Sequence, residues 1–199
     1  MKLRVGMLAS HRGTNVQAVV KAALEGRLAV EPAVIISNNR DSAVLEFARA
    51  REIPAVWIGG AEFEDEKQRD RAICDALVEH DVTLVLLLGY MRKLGPVTLQ
   101  RFRNRILNIH PALLPSHGGQ GRFGIHVHES VLDSGDRETG VSIHLVDDLY
   151  DHGRIIAQCR VPVEGGDTPK TLQARVLERE QTFIVETLQA ISEGAVPLD

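Results

Sequence analysis

Short aliphatic runs, nearly free of polar residues, return at intervals along the first half of the chain: LRVGMLA (3–9), VEPAVIIS (30–37), VTLVLLLG (82–89) and RILNIHP (105–111). A strand with one wet face alternates apolar and polar residues. These runs do not, so both of their faces must be covered. Helical patterns fill the gaps. TNVQAVVKAALEG sets Val16, Val19, Val20 and Leu24 on one face, SAVLEFARAREI follows, and after a short AVWI strand comes the charged, amphipathic EDEKQRDRAICDALVEH. Buried strands separated by helices define an α/β chain with a Rossmann-like, mostly parallel central sheet flanked by helices.

The last third reads differently. TGVSIHLVDD and RIIAQCRVPV alternate more, and only LYDHG lies between them. That link is too short for a crossover helix, so an antiparallel C-terminal strand pair is expected. A final helix should start near Thr168, with Thr168 as N-cap and Pro169 at the first helical position. No repeat, low-complexity stretch or linker interrupts the 199 residues, and one domain covering 1–199 is expected.

Composition narrows the function classes. Hydrophobic residues make up 44% and charged residues 25%, enough for a large core and too ordered for a disordered chain. A net charge of -4 with both signs interspersed argues against a nucleic-acid-binding face, while leaving room for a local basic pocket. Cys74 and Cys159 stand far apart, which argues against a disulfide framework or a zinc cluster and for a reducing, cytoplasmic setting. The apolar part of MKLRVGMLASHRG is too short for a signal segment and leads straight into a glycine loop. No apolar run approaches the ~20 residues of a membrane span. The expected partners are small molecules, with no nucleic acid and no membrane; a homodimer is left open.

ASHRGTNVQAVV joins the first strand to the first helix. The N–H groups of Gly13, Thr14 and Asn15 open that helix, and such an end favours an anion through its unpaired donors and its dipole. The plain alternative is a capped turn with Thr14 or Asn15 as N-cap. GTN is neither GxGxxG nor a P-loop, and the second strand ends in ISNN with no acidic partner at its tip, which weakens a dinucleotide reading.

ILNIHP then delivers an amide and an imidazole, Asn108 and His110, to the carboxyl end of a buried strand. A spacing of two puts both side chains on one face, and Pro111 ends the strand. An amide donates hydrogen bonds without titrating, and an imidazole exchanges protons near neutral pH. Together they suit an oxyanion forming on a carbonyl carbon, with a nearby carboxylate to favour the imidazolium and collect a proton. Asp147, Asp148 and Asp151 are the candidate acids, and spacing alone does not choose among them. No GxSxG elbow suggests a covalent nucleophile. HVHE (His126 to Glu129) offers two histidines without a clear third ligand, and reads as a loop entering a helix, so no metal is expected.

These residues carry a resemblance. NIHPALLPS, with GTN after the first strand, GYMRKL after VTLVLLL, and GVSIHLVDDLYDHG downstream, resembles the formyltransferase family that uses 10-formyltetrahydrofolate, in its branch acting on 5-phosphoribosylglycinamide in purine synthesis. The resemblance spans essentially the whole chain and implies the formyltransferase fold. It places the catalytic roles on Asn108, His110 and Asp151, with His144 in support. It implies that the ribotide phosphate meets Gly13, Thr14 and Asn15, that Glu180 contacts the same substrate, and that the folate lies along Met91, Arg92, Lys93 and Leu94 with Asn108 at the junction. The folate is a cosubstrate, and no metal is implied. Two departures stand out. PSHGGQGRFGIHVHE is longer and richer in glycine (Gly118, Gly119, Gly121, Gly124) than in shorter members, and FEDEKQRD offers Lys67 or Arg69 where some members place an arginine for the folate tail.

The implied chemistry is direct attack of the amine on the formyl carbon. Asn108 and a protonated His110 steady the oxyanion, and Asp151 keeps His110 charged. Rival readings are a formyltetrahydrofolate deformylase, expected to carry an N-terminal regulatory domain, a methionyl-tRNA formyltransferase-like domain, expected to carry a C-terminal one, and a non-catalytic nucleotide-binding module.

Overall fold

The computed structural model describes residues 3–60 and 62–198. Along the chain run β1 (Leu3–Leu8), α1 (Thr14–Leu24), β2 (Val30–Ser37), α2 (Ala43–Arg49), β3 (Ala55–Trp57), α3 (Glu66–Glu79), β4 (Leu84–Leu87), α4 (Pro96–Arg101), β5 (Ile106–His110), α5 (Ile125–Asp133), β6 (Glu138–Leu145), β7 (Ile155–Pro162) and α6 (Pro169–Ser192). Among the described residues the strands form one sheet in the order β3-β2-β1-β4-β5-β6-β7.

The first five strands are parallel. Successive side chains part to opposite faces. Val5, Met7, Leu84 and Leu86 pack with α1 and α6, whereas Leu8, Val85 and Leu87 pack with α3. Both faces are dry, as the unbroken apolar runs require. The strand order reverses between β1 and β4, where sheets of this kind open a crevice at the carboxyl ends.

β6 pairs antiparallel with β7, as its short connection demands, and also antiparallel with β5. The second pairing was not legible, because the long segment after His110 suits a parallel crossover equally well. Its register sets Asn108 opposite His144 and His110 opposite Ser142. Distant residues of NIHP and SIH thereby become neighbours.

Three local expectations need adjusting. Leu24 shares the helical face of the buried valines by spacing, yet is 66% exposed, because it closes α1 beyond the reach of the core. α5 forms where only a loop entering a helix was expected, and the short α4 was not foreseen. The carboxylate of Asp70, from α3, accepts the N–H groups of Gly95 at 3.1 Å and Val97 at 2.7 Å, a remote cap that local sequence does not reveal. The last helix follows expectation: Thr168 caps α6, with Pro169 in its first turn and Thr171 completing a capping box.

Candidate active site

The loops after β1, β2, β4 and β5 meet the 119–124 segment and the β6–β7 connection around a cleft of about 1620 Å³. Gly13, Thr14, Asn15, Met91 to Leu94, Asn108, His110, His144, Asp151 and Glu180 all line it.

At its floor the strand-end pair meets its acid. The Asn108 amide donates to Nε2 of His144 at 3.0 Å and to Oδ1 of Asp151 at 3.4 Å. Asp151 Oδ2 lies 3.5 Å from His110 Nδ1 and accepts the Gly119 N–H at 3.0 Å. His144 Nδ1 donates to the Leu145 carbonyl at 2.8 Å, which turns Nε2 toward Asn108. Of the three candidate acids, Asp151 alone reaches the pair. Asp147 accepts from the Leu149 N–H and lies 3.2 Å from His152, and Asp148 is exposed.

The ionisation of this group differs from the expected standing imidazolium. Burial pulls the His110 pKa below its ordinary value, and outweighs the opposing pull of Asp151 and of the His117 carbonyl. His110 is therefore neutral at rest, with its Nε2–H donated to the His117 carbonyl at 3.0 Å. Burial also pushes the Asp151 carboxyl up. The nearby His144 ring, the attraction of His110 whenever that ring is charged, and the Gly119 N–H together outweigh it, so the Asp151 pKa lies below the usual carboxylate range. A carboxylate beside a neutral imidazole with a free Nδ1 is a pair ready to take a proton.

The loop after β1 ends at Gly13, whose φ of 62° caps α1 without any side-chain hydrogen bond. The N-cap is thus Gly13, not Thr14 or Asn15. A side chain there would collide with Val44 from α2, and the left-handed backbone suits glycine. Asn15 points elsewhere: its amide donates to Glu180 Oε2 at 3.4 Å, across from α6. The side-chain Oδ1 of Asn15 is buried without a protein partner, so it can accept from a ligand hydroxyl or amine. Burial raises the Glu180 pKa to about 7, against the pull of the Asn15 bond.

On the opposite wall, Met91, Arg92 and Lys93 are exposed and Leu94 is buried. The rim is apolar to an unusual degree: Met91, Phe123, Leu149 and Tyr150 are large exposed hydrophobic side chains that all border the cleft. Such a patch suits a flat, partly apolar ligand. Neither Lys67 nor Arg69 lines the cleft. Arg69 is only 5% exposed and is committed to Glu66 and to the Lys93 carbonyl, so Arg92 and Lys93 are the cations that the Met91–Leu94 wall itself offers to the cleft.

The sequence reading overlooked Ser10 and His117. Ser10 Oγ donates to Asn38 at 2.6 Å and accepts the Met91 N–H at 2.7 Å, tying the two strand-end loops together. A small hydroxyl residue ending an apolar strand was the available signal. His117 offered none, because it acts through its backbone. In HVHE, His126 pairs with Glu129 at 2.8 Å and His128 is buried. Among the described residues no group of three or more His, Cys, Asp or Glu is disposed to hold a metal ion.

An amide donor and a carboxylate–imidazole pair stand at the strand ends, between the N-terminal turn of α1 and an apolar wall. A family profile described as formyl transferase matches residues 3–188, and the chain belongs to that family. Phosphoribosylglycinamide formyltransferase of Haemophilus influenzae is 33% identical over 195 residues, which cover 98% of this chain and 90% of that protein. The chloroplastic phosphoribosylglycinamide formyltransferase of Arabidopsis thaliana is 38% identical over 97% of this chain, which spans 66% of that protein's length. The crystal structure of glycinamide ribonucleotide transformylase 1 from Symbiobacterium toebii matches with a TM-score of 0.90 and 37% identity, covering 96% of this chain and 88% of that one.

Proposed function

We propose that this chain is a single formyltransferase domain that transfers the formyl group of 10-formyltetrahydrofolate to the amine of 5-phosphoribosylglycinamide, in purine synthesis. The observation that carries the reading is the convergence of Asn108, His110 and Asp151, with 3.5 Å between the imidazole and the carboxylate, at the floor of the cleft. The names of its relatives support the same substrates.

The neutral amine attacks the formyl carbon, and the carbonyl electron pair moves onto oxygen. An N–H of Asn108, released from its long bond to Asp151, meets the oxyanion. The proton shed by the amine passes to Asp151 and on to His110 Nδ1. The new imidazolium has an acceptor on each side, Asp151 Oδ2 and the His117 carbonyl. Its positive charge also steadies the oxyanion. Collapse then breaks the bond from the formyl carbon to the folate nitrogen, which takes the proton back.

The phosphate sits on the N-terminal turn of α1 at Gly13, Thr14 and Asn15, and Glu180 with Asn15 meets the hydroxyl or amine donors of the ribotide. The folate lies along Met91 to Leu94, and Arg92 and Lys93 face its acidic tail. Cys74 and Cys159 are free, which suits a reducing compartment such as the cytoplasm; among the described residues no helix is long and apolar enough to cross a membrane. Purified protein supplied with both substrates tests the reading. Tetrahydrofolate release that depends on the ribotide supports it, and release without any acceptor indicates a deformylase instead.

A further inference from the structure

We propose that His117, gripped by Ser130 and Asp136, is a positioning residue that decides which nitrogen of His110 carries the proton. The inference rests on the reading of Asn108, His110 and Asp151 as the reacting group and adds a control over it.

A carbonyl oxygen only accepts, so the 3.0 Å contact from His110 Nε2 to the His117 carbonyl fixes the hydrogen on Nε2. Nδ1 is then left with its lone pair facing the Asp151 carboxylate at 3.5 Å. A neutral imidazole beside a carboxylate otherwise favours the opposite tautomer, with Nδ1–H donated to the acid. The carbonyl of residue 117 overrides that preference and keeps Nδ1 open to a proton. Once His110 is charged, the same carbonyl is one of its two acceptors.

What holds that carbonyl in place is the side chain of its own residue. His117 has a φ of 57°, the left-handed region that few residues with side chains adopt. Its Nε2 donates to Asp136 Oδ2 at 2.7 Å, and its Nδ1 meets the hydroxyl of Ser130 in α5 at 2.9 Å. Both ring nitrogens are occupied and the side chain is 11% exposed. The next residues extend the brace: Gly118 packs against Leu114 and Asp151, and the Gly119 N–H sits on Asp151 Oδ2. One turn of chain thus touches His110 through a carbonyl and Asp151 through an amide. The grip of α5 and of the turn after it on the His117 ring fixes both contacts at once. The charged and titratable groups bearing on His110 are Asp151, His144 and His117, with His128 from α5. Those on the His117 ring are Asp136 and His110.

Two substitutions test this. His117→Asn keeps a residue that tolerates the left-handed backbone but is too short to span Ser130 and Asp136. Asp136→Asn removes the charge from a carboxylate whose side chain is 42% exposed, so it decides the matter alone if the first variant does not fold. Nitrogen-15 NMR of the histidines in the ligand-free protein reads the tautomer of His110 directly, independent of turnover. The wild-type ring should be Nε2–H. In each variant the Nδ1–H form should become at least as populated, and kcat should fall about tenfold with both KM values within about twofold. The double variant should be no worse than the poorer single one. An unchanged tautomer in folded variants, with or without a loss of rate or melting temperature, reduces His117 to a loop anchor and overturns the proposal. If the wild-type protein transfers no formyl group to the ribotide, the functional reading fails, and the NMR result still decides the role of His117.

Discussion

Asp151 faces His110 across 3.5 Å, with the carboxylate held by the Gly119 N–H on one oxygen and by the Asn108 amide on the other. Both residues are buried deeply enough that their protonation states depend on each other. Removing either the acid or the amide should therefore affect chemistry more than binding. Asn108→Ala should lower kcat by about 10²–10³, the usual loss for one oxyanion donor. Asp151→Asn should lower it by about 10²–10⁴, since it removes the proton acceptor while preserving shape. Initial rates beside a thermal melt check both. Near-normal turnover in a folded Asp151→Asn protein excludes the relay.

Glu180 gives the fold a pH dependence of unusual sign. Burial in α6 holds its folded pKa at about 7, above the 4.5 of an unburied glutamate. Between those two values the folded protein keeps a proton that the unfolded chain has lost, so stability declines as pH rises through that window and levels off above about 7. The span corresponds to at most about 3 kcal/mol. Urea unfolding at several pH values should show this decline in the wild type and a flatter profile in Glu180→Gln. The same variant should raise the KM for 5-phosphoribosylglycinamide and leave that for the folate nearly unchanged.

The alternation of dry strands and helices carried most of this architecture in plain view, because burial on both faces dictates composition residue by residue. NIHP drew attention because its spacing sets an amide and an imidazole on one face of a strand end, although a strand end satisfied by ordinary hydrogen bonds was the plain alternative. The choice among Asp147, Asp148 and Asp151 was not available from spacing, because it depends on how the β6–β7 connection lies against β5. Resemblance supplied it, and the geometry agrees: only Asp151 approaches Asn108 and His110. The protonation state of His110 went the other way. Sequence supplies the carboxylate that favours the charged ring, but not the burial that disfavours it. His117 was invisible for a related reason, as a backbone carbonyl has no signature in side-chain identity.

Gly13 is the position where a single added methyl should separate binding from chemistry. Its φ of 62° costs a residue with a side chain about 1–2 kcal/mol, and a Cβ there would collide with Val44. Gly13→Ala should displace the first turn of α1, whose N–H groups are proposed to meet the phosphate. The KM for 5-phosphoribosylglycinamide should rise at least about tenfold while the KM for the folate changes little. Steady-state kinetics with each substrate varied in turn make the comparison. An equal rise in both values would place the anion site elsewhere.

Ser10 couples the two substrate walls through one hydroxyl. It is 1% exposed, donates to Asn38 and accepts the Met91 N–H, so it fixes the start of the Met91–Leu94 wall against the loop after β1. Ser10→Ala leaves the half-buried Asn38 Oδ1 and Met91 N–H without their partner, at about 1–3 kcal/mol for a group that water does not reach and less for one that it does. Ser10→Thr keeps the hydroxyl but adds a methyl to a packed site, so it should lose less. The alanine protein should show a lower unfolding midpoint and a raised KM for 10-formyltetrahydrofolate. Its kcat should stay within a few-fold of wild type, because Asn108, His110 and Asp151 are held from other elements. A large fall in kcat with an unchanged folate KM would mean that the loop after β1 takes part in the chemistry.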